Sequence, residues 1–223
     1  MHPLIEKAKR EERPLLETEA LSLLGHYGVT VPEHHFAGTE KEVLEACREL
    51  GWPVVIKVVS PDILHKSDVA GVILNVKTKK QATQAFSQLI SLEKGGHRIH
   101  GVLVYPFQSH DIELSAGMLR DEQFGPVITF GLGGIWIEVL QDVSFGIAPL
   151  SSDEAEEMIS SIRGHALLEG KRGNKPVDRE AIRDLLIRLS QMALQEEVIR
   201  EMDLNPLFPL EKGVFIADAR IIV

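Results

Sequence analysis

The chain has 223 residues, enough for one large domain or two small ones. It carries 33 Asp and Glu against 24 Lys and Arg, a net charge of −9, and only 5% aromatic residues. That balance speaks against general nucleic-acid binding, which needs a basic face, and against a stacking platform for single strands. Hydrophobic residues at 44% exclude a wholly disordered chain. The one cysteine, Cys47, excludes an intramolecular disulfide framework and a thiolate metal cluster. No apolar run reaches the roughly 18 residues of a membrane span, and no apolar signal core follows Met1. The expectation is a cytoplasmic protein with neither a nucleic acid nor a membrane as partner.

In chain order, residues 6–13 (EKAKREER) read as a solvated leader or a first helical turn. Ala20, Leu21, Leu24 and Tyr27 share a helical face, and Gly28 is placed to end that helix in a left-handed cap. Thr39 and Glu42 form a capping box ahead of a helix that buries Val43, Leu44, Cys47 and Leu50, with Gly51 closing it. Cys47 there is core filler rather than a nucleophile. Residues 54–59 (VVIKVV) predict a buried strand, 72–76 a second, 80–92 a helix and 101–107 another strand. Residues 112–118 and 127–130 alternate like half-buried strands. Ser151 and Glu154 make a second capping box, the most regular helix covers 178–199, and strand signals close the chain over 213–223. Helices mixed with hairpin-like strands predict an α+β fold rather than a doubly wound sheet. Strands in two clusters predict two lobes with a hinge near 104–110.

Three segments carry chemistry. The first runs from Lys57 through SPDILHKSD (60–68). A lysine inside a buried strand needs an anion, either a bound phosphate or a structural ion-pair partner. The polar loop after it, with His65, Lys66, Ser67 and Asp68 between two strands, is where function tends to sit, and a neutral imidazole can act as a nucleophile. The second is GLGGIWIE (131–138), where Gly133 and Gly134 allow either backbone approach to an anion or a tight turn between strands. The third joins Asp203, Asn205 and, in the following strand, Asp218 with Arg220. Asp203 and Asn205 alternate onto one strand face, and a hairpin would bring Asp218 beside them. Such hard oxygen donors, completed by nucleotide phosphates, suit Mg²⁺, and a polar edge with an Asp–Arg pair is the simpler alternative. His34, His35, His97, His100 and His110 read as surface residues.

Together the segments SPDILHKSD, FGLGG (130–134), Glu138-Val-Leu, LEGKRG (168–173), DLNP (203–206) and Asp218-Ala-Arg220 resemble the ATP-grasp β subunit of ADP-forming acyl-CoA synthetases, over nearly the whole chain. The resemblance implies an ATP-grasp fold, two α/β lobes clasping a nucleotide, with the small lobe at about 29–104 and the larger at about 1–28 plus 105–223. It implies that Lys57 contacts nucleotide phosphates, that Tyr105 and Phe107 form the hinge against the adenine, and that Glu113 meets the ribose. His65 would be the phosphorylated histidine. Lys66, Ser67, Gly133, Gly134, Glu138 and Arg220 would line the phosphate site, and Asp203, Asn205 and Asp218 would hold Mg²⁺. The implied reaction is acyl-CoA + phosphate + ADP ⇌ acid + CoA + ATP. The implied partner is a CoA-binding α subunit, in an α2β2 heterotetramer, which passes a phosphoryl group to His65 and on to Mg·ADP. A nucleotide-sensing ATP-grasp domain without catalysis and a carboxylate–amine ligase of the same group are the alternatives. Lys57, Lys66, Lys171, Arg172 and Arg220 supply a local basic site on the acidic body. Three positions depart from the family pattern: the Tyr105-Pro106 hinge, Ala70 in the loop, and Gly146, where an arginine is common.

Overall fold

The computed structural model describes residues 1–63, 65–134, 141–170 and 175–223. Leu64, Glu138 with the rest of 135–140, and Lys171 and Arg172 lie outside the described residues. The chain divides into two compact units: Met1–Leu15 with Glu19–Val31 and His110–Val223, and Leu16–Thr18 with Pro32–Ser109. Among the described residues no helix is long and apolar enough to cross a membrane.

The smaller unit is a four-stranded antiparallel sheet. β1 (His35–Ala37), β4 (Gly101–Pro106), β2 (Val54–Val59) and β3 (Val72–Val76) lie in that order. α3 (Glu40–Leu50) and α4 (Lys79–Ile90) cover one face. Thr39 and Glu42 cap α3 reciprocally, and Gly51 ends it at φ +80°. Val54, Ile56 and Val58 alternate into the core with Val43, Cys47 and Leu89. Lys57 is set on the opposite face of β2, yet its strand is buried throughout.

The larger unit is built on the sheet β10–β8–β5–β6–β7, with β9 on β8. Its strands are β5 (Leu114–Asp121), β6 (Gly125–Leu132), β7 (Val143–Ile147), β8 (Glu201–Pro209), β9 (Val214–Ile216) and β10 (Arg220–Ile222), all antiparallel. α5 (Ser152–Ser161) and α6 (Arg179–Gln195) pack on one face. Gly146, Ile128, Met118, Met202 and Ile221 form one cross-strand row on that covered face. The next row, Phe145, Thr129, Gly117, Asp203 and Arg220, therefore points to the other side.

Several expectations shift. Of the two readings of residues 6–13, the helical one holds: α1 (Pro3–Arg10) folds there and buries Ile5 and Ala8, with proline in its first turn and the His2 side chain accepting from Leu4 N–H. α2 (Glu17–His26) closes as expected at Gly28, φ +78°, where Val29 N–H reaches back to the Leu24 carbonyl. The long helix ends at Gln195 rather than Ile199, since Glu196 turns its carboxylate onto Tyr27. Asp218 lies in the connection between β9 and β10, not inside a strand.

Candidate active site

The smaller unit carries a basic cluster. Lys57 and Glu17 are 4% and 6% exposed, and Lys57 Nζ donates to Glu17 Oε1 at 2.9 Å. Glu17 Oε2 lies 3.1 Å from Lys66 Nζ, so one buried carboxylate bridges the strand lysine and the loop lysine. The anion that a buried Lys57 requires is thus supplied by the protein itself. Lys57 Nζ also sits 5.4 Å from the centre of the Tyr105 ring, within cation–π range. Phe107 N–H donates to the Pro53 carbonyl, 2.9 Å away, extending the strand ladder into the hinge.

The loop that bears His65 is fixed at both ends. On one side Ile63 enters the core and Asp62 takes four hydrogen bonds from Arg98, from its backbone N–H at 2.7 Å and from its guanidinium. The guanidinium first, then the backbone N–H, pull the Asp62 carboxyl down to about 2. On the other side Gly71 lies against Val58 and the Lys66 carbonyl so closely that a Cβ would collide with both. Between these anchors His65, Ser67 and Asp68 are exposed, and Lys66–Val69 form a short 3-10 turn. Ala70 closes that turn at φ +52°, a left-handed position usually left to glycine.

The larger unit carries an acidic cluster on the sheet face opposite α5 and α6. Half-buried Asp203 and Asn205 alternate with buried Met202 and Leu204. Leu207 pairs with Ile216 and Asp203 with Arg220, and in the register common to both pairings Asp218 falls opposite Asn205. Arg220 pairs with Glu201 and reaches Asp203 at 3.6 Å. The glycine turn is packed rather than open: a Cβ on Gly133 would meet the Leu114 carbonyl and Asn205 Oδ1, and one on Gly134, φ +60°, would strike the Glu113 carboxylate. Gly133 N–H donates to the Glu113 carbonyl at 2.7 Å. The glycines thereby bring Glu113, Asn205 and the turn together. His110, read from sequence as surface, belongs here too: its Nε2 is 2.9 Å from Glu113 Oε1. Gly146 does not, because a side chain there would press on Leu150 and Met158 on the helix-covered face.

Among the described residues no three of His, Cys, Asp and Glu form a self-contained metal site. The Asp203 and Asp218 carboxylates and the Asn205 amide are hard oxygens of the kind Mg²⁺ takes.

The model of the ATP-grasp domain matches residues 7–223. The chain belongs to this family, among the β subunits of ADP-forming acetate–CoA ligases. It is 44% identical to the β subunit of acetate–CoA ligase (ADP-forming) I of Pyrococcus furiosus, over 99% of this chain and 96% of that one. It is 39% identical to the 4-hydroxybutyrate–CoA ligase (ADP-forming) of Nitrosopumilus maritimus, over 98% of this chain and 32% of that longer one. Its structure matches acetyl-coenzyme A synthetase 1 of Ca. Korarchaeum cryptofilum, in complex with coenzyme A and Ca-AMPCP, at TM-score 0.95 and 44% identity, covering 99% and 98% of the two chains. A second structure of that enzyme holds coenzyme A and Mg-AMPPCP, with a phosphohistidine segment pointing towards the nucleotide site (TM-score 0.87, 42% identity, 99% and 98% coverage).

Proposed function

We propose that His65 is the phosphoryl carrier of an ADP-forming acyl-CoA ligase whose CoA-binding α subunit is a separate chain. An imidazole nitrogen of His65 takes a phosphoryl group from a phosphorylated histidine of that partner. The P–N bond made in this step breaks when a β-phosphate oxygen of ADP attacks, giving ATP. The exposed imidazole on a loop anchored at both ends carries the reading: a transfer group must be accessible, and its swing must be bounded. The naming of relatives as β subunits supports the separate α subunit.

The other residues position and neutralise. Lys57 and Lys66, held together by Glu17, set positive charge beside the loop, where a transferring phosphoryl needs it. Glu113 takes the ribose, and Tyr105 with Phe107 takes the base. Ser67 and the Gly133–Gly134 turn line the phosphates, and Arg220 fixes Asp203. Asp203, Asn205 and Asp218 would hold Mg²⁺, which supplies charge neutralisation when bound. The two compact units are the lobes of one nucleotide-binding domain.

The test is phosphorylation of the full chain by γ-labelled ATP with magnesium. The wild type should acquire an acid-labile label at His65. The His65→Asn variant should take up no label, should bind ATP normally, and should lose turnover when combined with the α subunit. Normal turnover by that variant would refute the assignment.

A further inference from the structure

His110 has no place in the chemistry described so far, yet its ring is held both by a stack and by a side-chain contact within the acidic cluster. Its ring stacks face to face on Phe208, centroids 3.7 Å apart and planes 5° from parallel. Phe208 is itself buried and stacked at longer range on Phe215, at 6.0 Å. The stack fixes the plane of the ring, and within that plane Nε2 lies 2.9 Å from Glu113 Oε1. Glu113 is fixed at its main chain by the Gly133 N–H, and its Oε2 lies on the Gly134 side. Both side chains are about one-third exposed, His110 at 30% and Glu113 at 33%, so the pair is open to solvent rather than sealed in the core.

We propose that His110 is a positioning residue for ribose recognition. Stacked on Phe208, it holds the Glu113 carboxylate in the orientation that accepts hydrogen bonds from the two ribose hydroxyls of the nucleotide. The proposal rests on the reading of Glu113 as the ribose acid. The physical ground is preorganisation. A free glutamate side chain loses rotamer freedom when it binds, and a carboxylate already ordered by an imidazole donor has lost it beforehand.

The test is a double-mutant cycle on the full chain, read as the Kd for ADP and for 2′,3′-dideoxy-ADP by calorimetry. Glu113→Ala and His110→Ala should each weaken ADP, the latter about tenfold. Neither should change the affinity for the dideoxy nucleotide. The double variant should bind ADP no more weakly than Glu113→Ala alone. His110→Gln, which keeps a donor, should recover part of the loss, and it keeps the test alive if the alanine variant folds poorly. An equal loss for both nucleotides in His110→Ala marks a general structural role and overturns the proposal, as does unchanged ADP binding in that variant. Unchanged ADP binding in Glu113→Ala removes the ribose reading and the proposal with it. Failure at His110 alone leaves the Glu113 reading standing.

Discussion

Glu17 is the residue whose loss the smaller unit should tolerate least. Its carboxylate is the anion between Lys57 and Lys66, at 2.9 and 3.1 Å, and the Glu17 and Lys57 side chains are 4% and 5% exposed. Glu17→Gln keeps the shape and leaves one oxygen for Lys57, but it removes the charge and turns an amide donor toward Lys66. Breaking a buried pair from one side costs about 3–5 kcal/mol, because the remaining charge stays desolvated without a counter-ion. The cation–π contact of Lys57 with the Tyr105 ring is present with and without the Glu17 charge and does not alter the difference. A loss of roughly 3–5 kcal/mol follows, a large part of the ~5–15 kcal/mol that holds a domain together. Urea denaturation, compared at equal m-value, measures it. Replacing the pair by apolar groups is often neutral, so Glu17→Gln/Lys57→Met should recover most of the loss. A shift worth less than about 1 kcal/mol in Glu17→Gln, or a double variant no more stable than the single one, would refute a charge-desolvation origin.

Three further expectations follow from local geometry. Gly134→Ala places a Cβ on the Glu113 carboxylate and forces alanine into a left-handed conformation, at about 1–2 kcal/mol for the backbone alone; nucleotide affinity should fall several-fold while the far-ultraviolet spectrum is unchanged, and wild-type affinity would count against the packed turn. Asp62 titrates at about 2 in the folded chain, below its ordinary 3.8, so its contribution is fully present above 3.8 and is lost as pH falls toward 2. The stability gap between wild type and Asp62→Asn should therefore narrow below pH 4 and close near pH 2; a gap that widens there would reverse the sign. Burial pushes the Cys47 thiol up to about 11, so a disulfide reagent at pH 8 should leave the native chain unlabelled and modify it only on unfolding. Rapid stoichiometric labelling of native protein would place Cys47 outside the core.

Local signals in the sequence were legible where the physics is local. Thr39–Glu42 and Ser151–Glu154 are capping boxes in the sequence and in the fold, because both hydrogen bonds close within four residues. The run VVIKVV is a buried strand as its β-branched content predicts. What failed to show depends on partners far along the chain. β1 has three residues, too short for a pattern, and exists through pairing with β4, whereas β9 and β10, equally short, fall within the strand signal over 213–223 and pair with β8. The charge run over 6–13 overlaps α1 but starts after Pro3 and Ile5, so the start of that helix and its buried Ile5 lay outside the signal. A buried Lys57 announced the need for an anion, but nothing nearby named Glu17, 40 residues earlier, as its source. His110 lacked any motif: its partner Glu113 is three residues on, yet its orientation comes from Phe208, nearly a hundred residues later.

The placement of the acidic and basic groups follows from what each must do. A carboxylate that holds a ligand gains from rigidity, and Asp203 and Asn205 are set by a strand whose alternate residues, Met202 and Leu204, are locked in the core. A one-residue slip of β8 would bury the acids and expose the methionine and leucine, so the hydrophobic pattern itself enforces the site's register. A phosphoryl carrier has the opposite need, since it must meet two different partners. His65, proposed above as that carrier, lies outside any strand at the start of an exposed turn, while the loop's anchors, Ile63, Asp62 with Arg98, and Gly71, are drawn from the core and the loop base. Loosening an anchor should therefore act differently from altering the carrier. Asp62→Asn should leave His65 able to accept phosphate but slow the transfer, whereas His65→Asn should abolish it. Single-turnover labelling of the full chain by γ-labelled ATP separates the two, as a reduced rate with full final label against no label at all. Unchanged transfer in Asp62→Asn would show that the Arg98 clasp serves stability alone.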